Sequence, residues 1–473
     1  MSTNNRFSGT TSLRTLIDLP VSLSRDSALP LSVQLGDWLR EAMRAGALTA
    51  GTRLPSSRGL AAQLGVSRTV VTEAYQQLYA EGWLDGRHGS GTFVADLSTD
   101  AAPPARQTPA PPVAEPVRRA APLIDLTPGE PWVKDYDAAA WKRAWRKAAD
   151  LPPGDDPDPY GLPRLRELLA GHLRRSRAIA VGPENILVTR GTGNGLDLVA
   201  LALLGPGARA GVEDPGYRVA RNVFAARGAT IVPCPVDEDG VIVSGLPSDL
   251  RVLYTTPAHQ YPMGGRLPIP RRERLLAWAR RTGAMVVEDD YDAEFRYDVA
   301  PLPALYGLDP SRVVLLGTLS KSLAPDVGVG WLVGEPALLS RIAEIRQDLS
   351  DRTSGPVQQA VATLLARGDL DRHLRRMRLE YARRRAAVVE ILGPVCRLRG
   401  DTAGLHVLAE LPPSEVRGIV SAAASRGVLL DTTVRHHHAE SQVHGLVIGY
   451  GSAALPDVRR GCQILAELIA AAS

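Results

Sequence analysis

The chain has 473 residues and a mass of 50.6 kDa, which excludes a single small module and leads to an expectation of two or three domains. Hydrophobic residues are 44% and charged residues 22%, near the averages for folded soluble chains, and no apolar run reaches the roughly 18 residues of a bilayer span, so disordered and membrane-spanning classes are set aside. Lys+Arg 55 against Asp+Glu 51 leaves a net charge of +4, too small at this length to argue for nucleic acid, so a DNA partner has to be read from a motif. The opening MSTNNRFSGTTSLRTLIDLP lacks the basic-then-apolar pattern of a secretory signal. Cys234, Cys396 and Cys462 are odd in number and far apart, which fits neither a disulfide framework nor a thiolate metal site. The expectation is a cytoplasmic protein with no membrane partner.

Leu35, Leu39, Ala42 and Met43 recur at helical spacing. The segment PSSRGLAAQLGVSRTVVTEAYQQLYAEGW then reads as two short helices around a turn at Gly65, with Ser56 and Ser67 as N-caps. Val71, Ala74, Tyr75 and Leu78 share one face of the second helix, leaving Ser67, Arg68, Thr69 and Thr72 outward near its start. WLDGRHGSGTFVA follows as two strands around a Gly-rich turn. A helix-turn-helix with a β-wing puts the start of its second helix into the major groove, where Arg68 would meet a base edge or a phosphate. Arg87, His88 and the small residues Gly89, Ser90 and Gly91 would let backbone amides approach phosphate. The helix pattern alone also suits a helical protein–protein module. From Leu54 to Val94 the chain resembles the winged helix of the GntR family, through P-S-x-R-x-L-A-x-x-L-x-V-S-R and G-S-G-T-F-V. That resemblance implies contacts to a double-stranded DNA operator from Arg53, Ser56, Ser57, Arg58, Ser67, Arg68, Thr69, Thr72, Arg87, His88, Ser90, Gly91 and Thr92.

From Ala101 to Pro122 the sequence AAPPARQTPAPPVAEPVRRAAP is rich in Pro and Ala and has no aromatic residue, so it reads as a semi-rigid spacer. The expected domains are residues 25–95, a linker over 96–122, and a large domain over 123–473. In the large domain, apolar runs at 186–190, 208–214, 229–236, 251–256, 284–290 and 313–319 alternate with helical patterns, which argues for an α/β fold with a mostly parallel sheet and a ligand at the strand ends. GTGNGL, after the first of these runs, lacks the third glycine of a dinucleotide fingerprint, though the amides of Thr192 and Gly193 at a helix start would suit a phosphate. The acidic run Glu288 to Asp292 and the triplet His436 to His438 invite a metal reading, but neither has further ligands at a known spacing. An acidic strand end and a polar surface loop are the preferred readings, and no metal is expected.

Three strand ends carry groups that pyridoxal 5′-phosphate (PLP) needs: Lys321 in GTLSKSLAP for a Schiff base, Asp289 for the pyridinium nitrogen, and Tyr217 in EDPGY to cover the ring. Spacing alone does not choose this lysine over an ordinary solvated charge. Residues from about Leu126 to Leu468 resemble the fold type I aminotransferases, through PYGLPRLRELLAGHL, VTRGTGNGLDL, VEDPGY, TPAHQYPMG, VEDDYD and GTLSKSLAP. Behind a GntR winged helix this is similar to the MocR-type regulators. The resemblance implies that Lys321 forms the Schiff base, Asp289 holds the ring nitrogen, Tyr291 the ring oxygen and Tyr217 the stacked ring. Thr192, Gly193, Thr318 and Ser320 are implied at the phosphate, with His259 and Tyr261 nearby.

Departures bear on activity. The Asn of the aminotransferase N-P-x-G motif is Tyr261, the phosphate arginine of S-K-x-x-x-P-x-x-R is Gly328, with Arg190 as a substitute, and the carboxylate-gripping arginine of L-R-L-G-F is Val447 in LVIGY. AGLHVL (403–408) and LVIGY resemble the branch containing the vitamin B6 regulator PdxR. The expectation is therefore a PLP-responsive transcriptional regulator without turnover, a domain-swapped homodimer controlling PLP biosynthesis or salvage genes. A PLP-dependent aminotransferase with an accessory DNA-binding domain, a regulator answering an amino acid–PLP adduct, and a regulator that no longer binds PLP are the alternatives.

Overall fold

The helix over Leu31–Arg44 forms because its apolar residues return every three to four positions, and Leu35, Leu39, Ala42 and Met43 are the ones it buries. A computed structural model of the protein describes residues 21, 23–87, 91–96, 123–152, 154–297, 303–438 and 440–472. They divide into two units, one within residues 1–117 and one within 118–473. Residues 97–122, which include the whole Pro- and Ala-rich stretch, and the wing residues His88, Gly89 and Ser90 lie outside the described residues.

In the first unit Ser57–Leu64 and Arg68–Ala80 are the two expected helices. Ser56 Oγ accepts from Gly59 N at 3.1 Å and Ser67 Oγ from Val70 N at 3.4 Å, each satisfying an amide that the first turn leaves bare. The first helix stops at Gly65, whose φ of 65° is a left-handed conformation that glycine adopts without strain. Leu35, Leu39, Leu60, Val71 and Leu78 are fully buried between the helices, each worth about 1.5–3 kcal/mol of apolar burial. The wing strands Leu84–Arg87 and Gly91–Val94 pair antiparallel, and a third strand, Arg53–Leu54, joins the second of them. That third strand is too short to show any alternation in sequence.

The second unit is built on an eight-stranded sheet. Its six long parallel strands are Ile186–Thr189, Arg209–Asp214, Thr230–Asp237, Val252–Thr255, Met285–Asp290 and Val313–Thr318, within one or two residues of the runs read from sequence. Gly330–Val333 inserts antiparallel between Val313–Thr318 and Ile186–Thr189, and the edge strand Gly240–Val241 is also antiparallel. The first of these was hidden because GWLV is short and sits between glycines. Gly317 has to lack a side chain, since a Cβ there would lie 2.2 Å from the Trp331 indole of that inserted strand.

Side chains leave the central strands alternately, so Val286 and Leu315 belong to one buried cluster and Val287 and Leu316 to the other, with helices covering both faces. A smaller four-stranded antiparallel sheet follows, with strands in the spatial order Arg397–Arg399, His406–Glu410, Gly445–Gly449 and Asp431–Thr432. Among the described residues, no helix is long and apolar enough to cross a membrane.

Candidate functional site

Parallel strands deliver their following loops to one edge of the sheet, and five such loops meet around a cavity of about 400 Å³. Thr192, Gly193, Tyr217, Tyr261, Asp289, Tyr291, Thr318, Ser320 and Lys321 all line it. Residues that are up to 129 positions apart in sequence therefore share one wall because each follows, or ends, a neighbouring strand.

Lys321 Nζ donates to the Gly129 carbonyl. Burial holds its pKa below the ordinary lysine value, with Glu130 and Asp289 opposing that shift. Asp289 is pushed up to about 7 by burial, despite the hydrogen bond that Tyr254 Oη donates to its Oδ2 at 2.7 Å. Its Oδ1 is buried and has no hydrogen-bond partner among the described residues. A buried acceptor with no donor is costly, and a protonated ring nitrogen is the donor that would satisfy it. Tyr217 stacks near Tyr254, with ring centroids 6.3 Å apart and planes at 27°, and burial raises its hydroxyl to about 12.

At the phosphate end, Thr192 and Gly193 open the helix Thr192–Leu203, whose first amides have no partners within the helix. Thr318 Oγ1 and Ser320 Oγ lie 3.0 Å apart on the same wall. Gly328 is not on it, and its φ of 58° is a conformation that an arginine would adopt only under strain. Arg190 does line the cavity, with a guanidinium nitrogen 2.6 Å from Asp351. These groups fit PLP: an amine, a bare carboxylate oxygen, a flat aromatic wall, and a cradle of amides and hydroxyls with one guanidinium beside it.

His259 does not join that wall. It is 1% exposed and sits behind Tyr291, with Nδ1 2.9 Å from Asp292 Oδ2 and 3.1 Å from Tyr291 Oη, so it adjoins the cavity through its neighbours. Val447 does not line the cavity either; it is fully buried against Met263 and Leu408.

The acidic run divides by strand alternation. Glu288 accepts from the Leu305 and Tyr306 amides at 3.0 Å, Asp289 faces the cavity, and Asp290 pairs with Arg177 at 2.6 Å. The His436–His438 loop is not a plain surface loop, since His436 and His437 are buried. Gly216 N donates to the His436 carbonyl at 2.9 Å, His438 N to Asp214 Oδ1 at 3.0 Å, and Arg221 Nη1 to the His437 carbonyl at 2.8 Å. The loop is thereby tied to the turn that carries Tyr217, and its neighbour Arg435 lines the cavity.

Sequence reasoning missed Tyr254, Glu130, Leu405 and His406 on this wall. Tyr254 looked like one more residue of the apolar strand RVLYTT, and the other three come from segments with no local pattern pointing to a ligand.

On the winged helix, Arg53, Arg58, Arg68 and Thr69 are exposed, and their side chains make no hydrogen bond or ion pair among the described residues. The Ser56 and Ser67 hydroxyls are engaged as caps, and Ser57 is half-buried. Thr72 Oγ1 donates back to the Arg68 carbonyl at 2.9 Å, and Tyr79 Oη donates to Thr92 Oγ1 at 2.9 Å, so these two hydroxyls hold the helix and the wing. Arg53 packs over Gly91, where a Cβ would fall 2.8 Å from its Nε. Arg87 ends a wing strand, and its side chain lies outside the described residues.

Residues 31–94 match the model of the bacterial regulatory proteins of the gntR family, and residues 123–434 match that of aminotransferase class I and II. The chain is 38% identical over 447 residues to the HTH-type pyridoxine biosynthesis transcriptional regulator PdxR of Corynebacterium glutamicum, covering 92% of this chain and 95% of that one. It is 34% identical over 469 residues to the probable rhizopine catabolism regulatory protein MocR of Rhizobium meliloti, covering 94% of each. Among solved structures, an archaeal alanine:glyoxylate aminotransferase matches with a TM-score of 0.68 at 26% identity, over 74% of this chain and 91% of that one. A winged helix followed by an aminotransferase-like domain, in one chain and along the full length of such relatives, places this protein in the MocR-type family of GntR helix-turn-helix transcriptional regulators.

Proposed function

We propose that the protein is a cytoplasmic, homodimeric regulator that binds PLP in the strand-end cavity and answers PLP occupancy with a change in its hold on a double-stranded operator, without turnover. The observation that carries this reading is the pairing of Lys321 with the unpartnered Oδ1 of Asp289 on one cavity wall. When bound, PLP supplies an aldehyde that condenses with a primary amine and a ring nitrogen that takes up a proton. Lys321, its pKa lowered by burial, is the amine. Asp289 would keep the ring nitrogen protonated, Tyr217 would cover the ring face, and Tyr291 and Tyr261 would stand by its polar edge. Thr192, Gly193, Thr318 and Ser320 would hold the phosphate with Arg190 beside them. His259 acts as a positioning residue behind Tyr291.

The absence of turnover rests on three replacements. Tyr261 stands for the aminotransferase Asn, Gly328 for the phosphate arginine, and the buried Val447 for the guanidinium that fixes a substrate carboxylate. On the DNA side, Arg58, Arg68 and Thr69 near the helix starts, with Arg53, Arg87, His88, Ser90 and Gly91 at the wing, supply the contacts. Likeness to the pyridoxine biosynthesis regulator supports targets in PLP biosynthesis or salvage. The aminotransferase neighbours favour one second reading, a PLP enzyme with an accessory DNA-binding domain.

Adding PLP to PLP-free protein should produce the long-wavelength absorption of lysine-bound PLP, and Lys321→Ala should abolish it. Amine-dependent bleaching followed by release of a keto product would favour the enzyme. Retention of the band in the variant would remove Lys321 from this role.

A further inference from the structure

Asp292 is the member of the acidic run that PLP leaves without a task. It is 2% exposed, and its side chain pairs with His259 alone, with no Lys or Arg bonded to it among the described residues. His406, the first residue of the strand His406–Glu410, packs its ring against that of His259 with centroids 4.7 Å apart. His259, His406 and Asp292 each offer one donor atom within 4.8 Å of the others, and all three residues are buried. They come from three segments far apart in sequence, which is why no spacing revealed them.

Two further observations point to an ion. Nε2 of His259 and Nε2 of His406 are both buried and have no hydrogen-bond partner among the described residues. Such nitrogens are costly to leave bare, and a cation takes a lone pair where no donor is present. The rings are also braced from outside: His259 Nδ1 is held by Asp292 Oδ2, and the His406 ring faces the Pro262 carbonyl. Carboxylates and carbonyls in that position fix the tautomer and ring direction of metal-binding histidines. The backbone leaves room for the cluster, because Gly404 (φ 71°) passes where a Cβ would sit 2.0 Å from His259 Cε1 and 2.7 Å from Asp292 Oδ2.

We infer that His259 and His406, through their bare Nε2 atoms, bind one divalent transition-metal ion, with Asp292 bracing His259 from its Nδ1 side. Imidazole ligands suit Zn²⁺ or Co²⁺ rather than Ca²⁺ or Mg²⁺, which take all-oxygen shells. His406 lies on the cavity wall, which gives an ion its way in and gives water or a ligand group access to the remaining coordination positions. An ion here ties together the segment of Tyr261, the segment of Tyr291 and the small sheet.

The test uses the full-length protein treated with EDTA, desalted and titrated with CoCl₂, with the visible d–d absorption of Co²⁺ as the signal. The expected result is saturation at one equivalent and loss of the band when Zn²⁺ is added. Asp292→Asn and His406→Phe should each weaken Co²⁺ binding at least tenfold, with a cooperative thermal transition showing that each variant is folded. Absence of a d–d band at one equivalent in the unsubstituted protein overturns the site. So does undiminished binding in both folded variants, which would mark the ion as adventitious. Where one variant fails to fold, the stoichiometry of the unsubstituted protein and the other variant still decide.

Discussion

Asp289 has one oxygen hydrogen-bonded to Tyr254 and the other without a hydrogen-bond partner among the described residues, in a setting where desolvation raises its pKa to about 7. A carboxyl whose folded pKa lies above its unfolded value binds more protons when folded, so stability falls as pH rises between the two values. For PLP-free protein the expected slope from this group, between about pH 4 and about pH 7, is a loss of up to about 1.4 kcal/mol per pH unit. Asp289→Asn should flatten that part of the profile, and saturating PLP should do the same by pairing the carboxylate with a protonated ring. Denaturant melts of the two proteins across this range check it, and identical profiles would contradict the burial argument. Lys321, Asp289 and Tyr217 drew attention in sequence because each follows or closes an apolar run, but it was the resemblance to the aminotransferases that chose Lys321 and implied Tyr291. Tyr254 was not, since its role depends on register: Tyr254 pairs with Val287, which places its hydroxyl beside the adjoining strand's Asp289.

The recognition helix shows how much an element's ends reveal. Ser67 before an apolar stripe announced its start, and Val71, Ala74, Tyr75 and Leu78 announced its buried face. Ser67→Ala should cost about 1 kcal/mol in the stability of the first unit through the lost cap. Arg68→Ala should leave stability unchanged, because the exposed side chain makes no hydrogen bond or ion pair among the described residues, and should weaken operator binding. If Arg68 reads a base, the loss is about 1–3 kcal/mol with relaxed specificity at one position; if it meets phosphate, all sequences weaken alike. Thermal melts together with operator and mutant-operator titrations at fixed salt separate these outcomes, and unchanged operator affinity would remove Arg68 from the DNA-binding face. The inserted strand Gly330–Val333 and the two-residue strand Arg53–Leu54 escaped the sequence reading for a different reason. Segments that short acquire strand geometry from their neighbours' hydrogen bonds, not from their own periodicity.

At the scale of the whole molecule, the proposed response to PLP requires that an event in the aminotransferase-like unit be converted into one at the winged helix. We propose a dimer, so that two winged helices read an operator with two half-sites. Light scattering at micromolar concentration should give twice the chain mass with and without PLP, and a monomer would contradict the proposal. Both units were recognisable in sequence because each carries a dense motif set. The cluster of His259, His406 and Asp292 was not, because only the packing of the small sheet against the large one creates it.

A ligand moves an equilibrium between two arrangements only by its difference in affinity for them, so PLP has to contact the two arrangements differently. Titrating the protein–operator complex with PLP, and then with PLP plus common amino acids at fixed salt, tests that claim most directly. PLP alone should change operator affinity or bending, and amino acids should add little, because Val447 offers no guanidinium to a carboxylate. A response driven by amino acids, with PLP alone silent, would contradict the account and move the carboxylate anchor to Arg435 on the cavity wall.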